Sequence, residues 1–314
     1  MKILVLGAGA VGGYFGGRLA QLGRDVTFLV RPNRAKLLAE KGLRISSPHG
    51  NATLKVKCVL QAEVKPEYDL VILTAKAYDL ADAMDAIAPA MDGGRACVLP
   101  LLNGLAHLDA LDARFGRDRV LGGVAQIAST LAADGEIRML ADFHRVLFGA
   151  RSSSQDKVCE GFAAALQGVN FEWKQLDDIL QAMWDKWVML ATLAGMTCLM
   201  RATIADIMET PAGEKLMLQM LEEIASVAAA AGNAISPAGM ASNRKLLTQR
   251  GAVLSASMLR DVESKSSAEG DHILGQLLVR ARAKGLATPL LEVAVTNLEA
   301  YAARRRREGA GAAK

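Results

Sequence analysis

The chain has few cysteines, and their spacing suits neither a metal site nor a disulfide framework. Its 314 residues include four cysteines, Cys58, Cys97, Cys159 and Cys198, which lie tens of residues apart. No C-x-x-C pair and no histidine cluster accompanies them, although zinc sites and disulfide-rich domains depend on such patterns. We therefore expect reduced thiols and no metal.

Strong net charge and long apolar runs are also absent. The formal net charge is +4, with 51% hydrophobic and 22% charged residues. So small a charge gives no argument for a nucleic acid or a membrane surface as partner. No apolar stretch is long enough to span a bilayer, and the first apolar segment lacks a signal-peptide cleavage site. We expect a cytoplasmic globular protein that is long enough for two domains.

The most informative pattern that is present follows the first predicted strand. The apolar run from Ile3 to Leu6 leads directly into Gly7-x-Gly9-x-x-Gly12. In dinucleotide-binding folds the first glycine permits a tight turn, the second lets the backbone approach a pyrophosphate, and the third lets strand and helix pack closely. The diphosphate then rests on N–H groups at a helix N-terminus. The residues expected to contact a dinucleotide are Gly7, Gly9, Ala10, Val11 and Gly12.

The second predicted strand ends in a basic residue. Arg31 follows Val30, at the position where NAD enzymes usually carry an acid. A carboxylate there would accept hydrogen bonds from a ribose 2′-hydroxyl and repel a 2′-phosphate, whereas a guanidinium can pair with the phosphate. The sequence therefore favours NADP(H) over NAD(H), the alternative being that Arg31 and Arg34 are ordinary surface charges.

Strands and helices alternate through the first half of the chain, as is typical of a doubly wound parallel sheet. We assign residues 1–170 to an α/β, Rossmann-type NADP-binding domain. The predicted strands are 2–6, 26–30, 69–74, 96–100 and 120–127, the helices are 12–22 and 77–91, a short antiparallel pair is 43–47 with 53–60, and a final hairpin is 136–140 with 145–149.

The pattern becomes entirely helical after about residue 172. We assign residues 171–314 to an all-helical substrate-binding and catalytic domain. Methionine and alanine are frequent there, and because the thioether packs adaptably this domain could supply the face of a homodimer. The predicted helices are 173–208, 213–231, 237–247, 253–260, 266–284 and 289–303.

Several short segments, spread over nearly the whole chain, match one family pattern in order and spacing. Each is common by chance, but together with the glycine motif they resemble the ketopantoate reductase (2-dehydropantoate 2-reductase) family. The segments are Leu29-Val-Arg31, Leu73-Thr-Ala-Lys76-Ala-Tyr78, Leu102-Asn103-Gly-Leu105, Trp184-Asp-Lys186, and Ser257-Met-Leu-Arg-Asp261-Val followed by Glu269 and Asp271-His-Ile.

The resemblance implies hydride transfer from NADPH to the keto carbon of a 2-oxo acid, with 2-dehydropantoate, a precursor in pantothenate biosynthesis, as the first candidate. It makes Lys186 the general acid, because an ammonium group stabilises the developing alkoxide and can donate the proton. A free lysine titrates near ~10.4, so burial would help to bring it toward working pH.

The same matching assigns the remaining site residues. Asn103 would hydrogen-bond near the lysine and the nicotinamide, and Lys76 and Arg31 would clamp the cofactor. Ser257 would hold the substrate carboxylate, and Glu269 would accept a hydrogen bond from a substrate hydroxyl.

Three usually polar positions and one usually aromatic position depart from the family pattern. Leu190, Ala194 and Leu274 stand where the family commonly carries asparagine, and His272 replaces a frequent aromatic residue. A site that reads a hydroxyl by hydrogen bonds can favour it by ~10⁴ or more, and these positions have lost that capacity. We expect them to line the pocket, so a paralogous reductase of a more apolar 2-oxo or 3-oxo acid stays open. His272 is either a second proton donor or a packed surface histidine.

Two further functions remain as alternatives. A 3-hydroxy-acid dehydrogenase of the 6-phosphogluconate dehydrogenase type also has two domains and a helical lysine, but the chain lacks the glycine-rich substrate loop of that type. A non-catalytic NADP(H)-binding sensor would explain the lost asparagines, whereas Lys186 and Glu269 argue against it.

Overall fold

A parallel sheet organises the first of the two units into which the chain divides, Met1–Met183. The structure is a computed structural model, and it describes residues 1–94 and 96–312. The strands of this unit are β1 (Lys2–Leu6), β2 (Asp25–Leu29), β3 (Leu43–Ser46), β4 (Ala52–Leu54), β5 (Lys57–Val59), β6 (Leu70–Leu73), β7 (Cys97–Pro100), β8 (Gly122–Leu131), β9 (Ile137–Gly149) and β10 (Glu172–Gln175).

Five of these strands form the parallel sheet, in the order β5-β2-β1-β6-β7. All four neighbouring pairs are parallel. Central β1 is an apolar run, and its Ile3, Leu4 and Val5 are fully buried, as expected for a strand covered on both faces. The carboxyl ends of β1, β2, β6 and β7 therefore share one edge of the sheet, and the predicted doubly wound domain is confirmed.

A second, mixed sheet corrects two predictions. The segment predicted at 120–127 as a parallel strand is β8, which pairs antiparallel with β9. The predicted hairpin of 136–140 with 145–149 is wrong, because both segments belong to the single strand β9. The reversal lies earlier, at Gly135, which has φ +81° and whose N–H donates to the Ala132 carbonyl. Glycine suits that position because it adopts positive φ without steric cost.

The segment predicted at 53–60 divides between the two sheets. β4 pairs antiparallel with β3, as predicted, whereas β5 lies parallel beside β2. The helices of this unit are α1 (Gly12–Gln21), α2 (Pro32–Lys41), α3 (Leu80–Met91), α4 (Ala106–Phe115) and α5 (Asp156–Ala165).

The second unit, from Trp184 onward, contains helices and no strand among its described residues. The division falls inside the helix α6, whereas the sequence predicts it near residue 170. The helices are α6 (Ile179–Met200), α7 (Ile204–Met208), α8 (Gly213–Ala230), α9 (Pro237–Leu247), α10 (Ser257–Glu263), α11 (Gln276–Ala283) and α12 (Pro289–Ala312).

Several helical boundaries differ from the prediction. The segment from residue 173 begins as the strand β10, and α6 starts only after Asp178, whose carboxylate accepts a hydrogen bond from the Gln181 N–H at 3.0 Å and so caps the helix. The helix predicted at 266–284 contains a π-helical segment, Asp271–Gly275, ahead of α11.

Candidate active site

The glycine turn, residues 7–12, connects β1 to α1. Gly7 has φ +90°, and its N–H donates to the Leu29 carbonyl at 2.9 Å. A side chain at Gly12 would lie 2.5 Å from the Gly7 carbonyl oxygen and would overlap Thr74, so only glycine fits there. The predicted tight turn and close strand-to-helix packing are both present.

Four successive N–H groups of this turn have no acceptor among the residues that the structure describes. In residues 1–94 and 96–312, no hydrogen bond is donated by the N–H of Gly9, Ala10, Val11 or Gly12. The first turn of α1 also carries no acidic side chain. Successive N–H groups at a helix start attract a phosphate anion, so these residues fit the diphosphate of a dinucleotide.

The two arginines that follow β2 have different surroundings. The Arg31 side chain is 80% exposed, with its nearest carboxylate oxygen, on Asp79, 3.9 Å away. Arg34 instead donates from Nε and a terminal nitrogen to the Ala8 carbonyl, at 3.1 and 2.7 Å, and from its other terminal nitrogen to the Gly135 carbonyl at 2.9 Å. Arg31 is therefore open to a ligand, whereas the guanidinium of Arg34 is engaged with backbone oxygens.

Lys76 and Asn103 follow two further strands of the parallel sheet. Lys76 comes after β6 and Asn103 after β7, and both are partly buried. Gly104 has φ +74°, as is common for glycine in an Asn-Gly turn. Because β2, β1, β6 and β7 are parallel neighbours, the structure brings Arg31, the glycine turn, Lys76 and Asn103 to the same edge of the sheet.

Two side chains that the sequence analysis does not single out donate hydrogen bonds to the backbone at the glycine turn. Thr74 donates from Oγ1 to the Leu6 carbonyl at 2.8 Å, and Ser129 on β8 donates from Oγ to the Ala10 carbonyl at 3.0 Å. A hydroxyl residue directly after a sheet strand is a signal that could have indicated Thr74. Ser129 has no comparable local signal, because only the tertiary fold brings β8 beside the turn.

In the second unit, Lys186 lies on α6 in an apolar environment. Trp184 and Trp187 beside it are buried, with ring centroids 4.9 Å apart. Burial lowers the pKa of Lys186 to about 8, and the negative charge of Glu269 partly opposes that fall. A lysine with this pKa is mostly protonated at neutral pH yet can release its proton, as a general acid must.

Glu269 is only 7% exposed and precedes the π-helical segment. Its carbonyl accepts a hydrogen bond from the Ile273 N–H at 2.9 Å, and the Ile273 carbonyl accepts one from the Trp187 indole, also at 2.9 Å. The residue next to Lys186 therefore holds the segment that follows Glu269. Segments of π-helix are frequent at functional sites.

Sequence comparison identifies the chain over most of its length. Residues 3–153 match the family model described as ketopantoate reductase PanE/ApbA, and residues 178–302 match that of its C-terminal domain. The chain belongs to the ketopantoate reductase family. It is therefore an oxidoreductase acting on CH–OH groups and the corresponding carbonyls.

Known proteins and solved structures resemble the chain over nearly its whole length. An uncharacterized oxidoreductase, YkpB, of Bacillus subtilis (strain 168) is 35% identical and covers 97% of this chain and 100% of its own. The crystal structure of 2-dehydropantoate 2-reductase from Geobacter metallireducens GS-15 has a TM-score of 0.85 at 29% identity, covering 95% and 99%. A ternary structure of D-mandelate dehydrogenase with NADH and anilino(oxo)acetate shares the fold, with a TM-score of 0.87 at 23% identity, covering 98% and 99%.

The three positions that depart from the ketopantoate reductase pattern have unequal surroundings. Leu190 is partly exposed, but Ala194 and Leu274 are fully buried. A Cβ added at Gly195 would lie 3.7 Å from the Leu274 side chain, so Leu274 packs against α6. The expectation that all three line a pocket is therefore wrong for Ala194 and Leu274, which are core positions where an amide without a partner would be costly.

Ser257 and His272 lie at the start of α10 and inside the π-helical segment, and both are partly buried. The N–H of Ala256, which precedes Ser257, is 3.4 Å from the hydroxyl of Thr197 on α6. The roles of Ser257 and His272 stay predictions. Within the described residues, no group of three or more histidine, cysteine or acidic side chains is placed to hold a metal, and no helix is both long and apolar enough to cross a membrane.

Proposed function

We propose that the chain catalyses NADPH-dependent reduction of a 2-oxo acid to a 2-hydroxy acid, with 2-dehydropantoate to pantoate as the first candidate reaction. The observation that carries the proposal is Lys186, whose pKa burial lowers to about 8, on a helix close enough to buried Glu269 for their charges to interact. An ammonium group of that acidity suits a carbonyl oxygen that gains negative charge and then needs a proton.

In this proposal each unit has its own task. The first unit binds the diphosphate on the N–H groups of the glycine turn, with Lys76, Arg31 and Asn103 as further cofactor contacts. When bound, NADPH supplies the hydride. In the second unit Lys186 polarises the substrate carbonyl and donates the proton to its oxygen.

One hydrogen-bond donor and one acceptor of the second unit would orient the substrate. Ser257 would hydrogen-bond its carboxylate, and Glu269 would accept from its hydroxyl. Glu269 also favours the protonated form of Lys186, so it would support the general acid in addition to binding substrate.

The preference for NADPH over NADH rests on Arg31. Its side chain is 80% exposed beside the carboxyl end of β2, and no acid stands in its place to bind a ribose 2′-hydroxyl. The carboxylate of Asp79 lies 3.9 Å away, which is too loose and too exposed an ion pair to prevent the guanidinium from binding a phosphate.

A paralogous activity on a more apolar 2-oxo or 3-oxo acid is the second candidate, and Leu190 favours it. This residue lies one helical turn after Lys186, on the same face of α6, and it is partly exposed. A leucine there offers apolar contact where an asparagine would offer hydrogen bonds, so discrimination for the hydroxyl of ketopantoate is reduced.

The test is NADPH oxidation, followed by absorbance, with ketopantoate and a panel of straight, branched and aromatic 2-oxo and 3-oxo acids. Lys186→Met is the matched control because it keeps the length of the side chain and removes the charge. Ketopantoate turnover that Lys186→Met abolishes supports the first candidate, and turnover of only the bulkier acids supports the second. Tight NADPH binding without reduction of any acid contradicts both and favours a sensor.

Homodimer formation and cytoplasmic location stay predictions. Light scattering of the purified chain would decide the first, since a homodimer has twice the chain mass of 33.3 kDa.

A further inference from the structure

Carbonyl groups in the glycine turn and directly before it accept hydrogen bonds from side chains of three separate segments of the chain. The carbonyls of residues 6, 8 and 10 accept hydrogen bonds from Thr74 after β6, Arg34 on α2 and Ser129 on β8, at distances of 2.7 to 3.1 Å. Three alternate peptide groups of one short segment are therefore fixed independently, by side chains that lie far apart in the sequence.

Fixing a carbonyl also fixes the N–H of the next residue. A trans peptide is planar, so its C=O and N–H point in opposite directions. The Leu6–Gly7 peptide shows this, since its carbonyl accepts from Thr74 on one side and its N–H donates to the Leu29 carbonyl on the other. By the same geometry, Arg34 sets the direction of the Gly9 N–H through the Ala8 carbonyl.

Ser129 has the equivalent relation to Val11, through the Ala10 carbonyl. The pairing of β8 with β9 shifts register between Ile127 and Ser129, and such irregularities redirect side chains. The N–H groups of Gly9 and Val11 are among those of the glycine turn for which the described chain provides no acceptor.

We propose that Arg34 and Ser129 are positioning residues that orient the N–H groups of Gly9 and Val11 toward the diphosphate of the cofactor, while Thr74 fixes the peptide that precedes the glycine turn. The inference rests on the proposed function, since it concerns how this chain binds its nucleotide. It assigns Arg34 no contact with the nucleotide, in contrast to Arg31 three residues earlier.

The contacts of Arg34 distinguish its role in positioning the backbone from the direct nucleotide contact proposed for Arg31. The Arg34 guanidinium group donates twice to the Ala8 carbonyl and once to the Gly135 carbonyl, so it connects α2 and the β8–β9 turn to the glycine turn. Hydrogen bonds from an ionised donor are stronger than neutral ones, so this residue should contribute most to the orientation. The 2′-phosphate distinguishes NADPH from NADH, whereas the diphosphate is common to both.

The experiment measures dissociation constants for NADPH and for NADH with the full chain and its variants. Arg34→Ala should weaken binding of both nucleotides by the same factor, about tenfold or more. Ser129→Ala should weaken both by about threefold to tenfold, and Ser129→Thr, which keeps the hydroxyl, should restore them. Arg31→Ala should instead weaken NADPH much more than NADH.

Arg44→Ala is the matched control. Arg44 also donates to the β8–β9 turn, at the Asp134 carbonyl and carboxylate at 2.8 Å, and it makes no hydrogen bond to the glycine turn. Its loss should leave both dissociation constants unchanged, which would show that a general effect on the β8–β9 turn does not explain the loss seen for Arg34→Ala.

Selective loss of NADPH binding in Arg34→Ala would make Arg34 a phosphate ligand and overturn the inference. Unchanged binding of both nucleotides in Arg34→Ala and Ser129→Ala would overturn it as well, while the proposed function would stand. If Arg34→Ala does not fold, the Ser129→Ala and Ser129→Thr pair decides. If the native chain binds neither nucleotide, the proposed function fails, and the inference fails with it.

Discussion

Replacing Glu269 by glutamine should move the pH dependence of reduction toward acid. Burial lowers the pKa of Lys186 to about 8, and the carboxylate of Glu269 is what keeps it from falling further. With that pKa, about nine in ten Lys186 side chains are protonated at pH 7 and about one in ten at pH 9. The native rate should therefore decline above pH about 8, as the acid form is lost.

An opposite charge within a few ångströms raises a lysine pKa by roughly one unit or more. Glu269→Gln keeps the shape of the side chain and removes its charge, so the midpoint of the decline should fall by about one unit. At pH 8 the variant should then retain only about a tenth of its own acid plateau, where the native enzyme retains about half.

The assay measures kcat for NADPH oxidation between pH 5.5 and 9.5 with saturating substrate. Folding of each variant is checked at both ends of this pH range. Loss of a substrate contact alone would lower the rate by one factor at every pH and leave the midpoint in place. Glu269→Asp, which keeps the charge, is the control for that effect. A midpoint in Glu269→Gln that equals the native one would refute the coupling between Glu269 and Lys186.

Three further predictions concern the cofactor edge and the helical unit. Arg31→Ala should raise the dissociation constant for NADPH by about tenfold or more and leave the melting temperature unchanged, because its ion pair with Asp79 is exposed and long. Gly12→Ala should lower both stability and NADPH affinity, because a Cβ there meets the Gly7 carbonyl oxygen at 2.5 Å, whereas Gly9→Ala should lower affinity alone, since nothing lies within 4 Å of its Cβ. Glu223→Ala should lower the free energy of unfolding by about 2 to 3 kcal/mol in a denaturant titration, because the buried carboxylate accepts the first N–H groups of α12.

Each of these has an outcome that contradicts it. Equal losses of NADPH and NADH affinity in Arg31→Ala would remove the 2′-phosphate contact from the proposal. A destabilised Gly9→Ala would show that the open space at that residue is not maintained in solution. For Glu223→Ala, a denaturation midpoint equal to the native one would mean that water replaces the carboxylate at no cost, and Glu223→Gln provides the intermediate case.

Sequence patterns predicted the strands, turns and helices whose conformation depends on neighbouring residues in the chain. The strand-turn-helix at residues 2–21 was predictable because an apolar run, three glycines and a helical pattern each have one compatible conformation. The positions of Arg31, Lys76 and Asn103 at one sheet edge followed from their places after parallel strands. Lys186 was recognised through its family motif, and its apolar neighbours indicated a lowered pKa.

Predictions that depended on pairing partners were less successful. The residue pattern of β8 does not specify which strand it pairs with, so its place in the mixed sheet was not predictable. The same holds for β5, which joins the parallel sheet although it follows β4 closely. The π-helical segment that runs directly into α11 was not predictable either, because it depends on packing, including the Trp187 hydrogen bond to the Ile273 carbonyl.

Periodicity, turn chemistry and side-chain type were enough to predict the α/β plan of the first unit, the helical second unit, the glycine turn and the chemical groups of the site. The core positions of Ala194 and Leu274, and the contacts of Arg34 and Ser129 with the glycine turn beside an exposed Arg31, became visible only in the folded chain. The physical reason is that burial and hydrogen-bond partners come from elements far apart in the chain, here as much as 119 residues between Ser129 and Ala10.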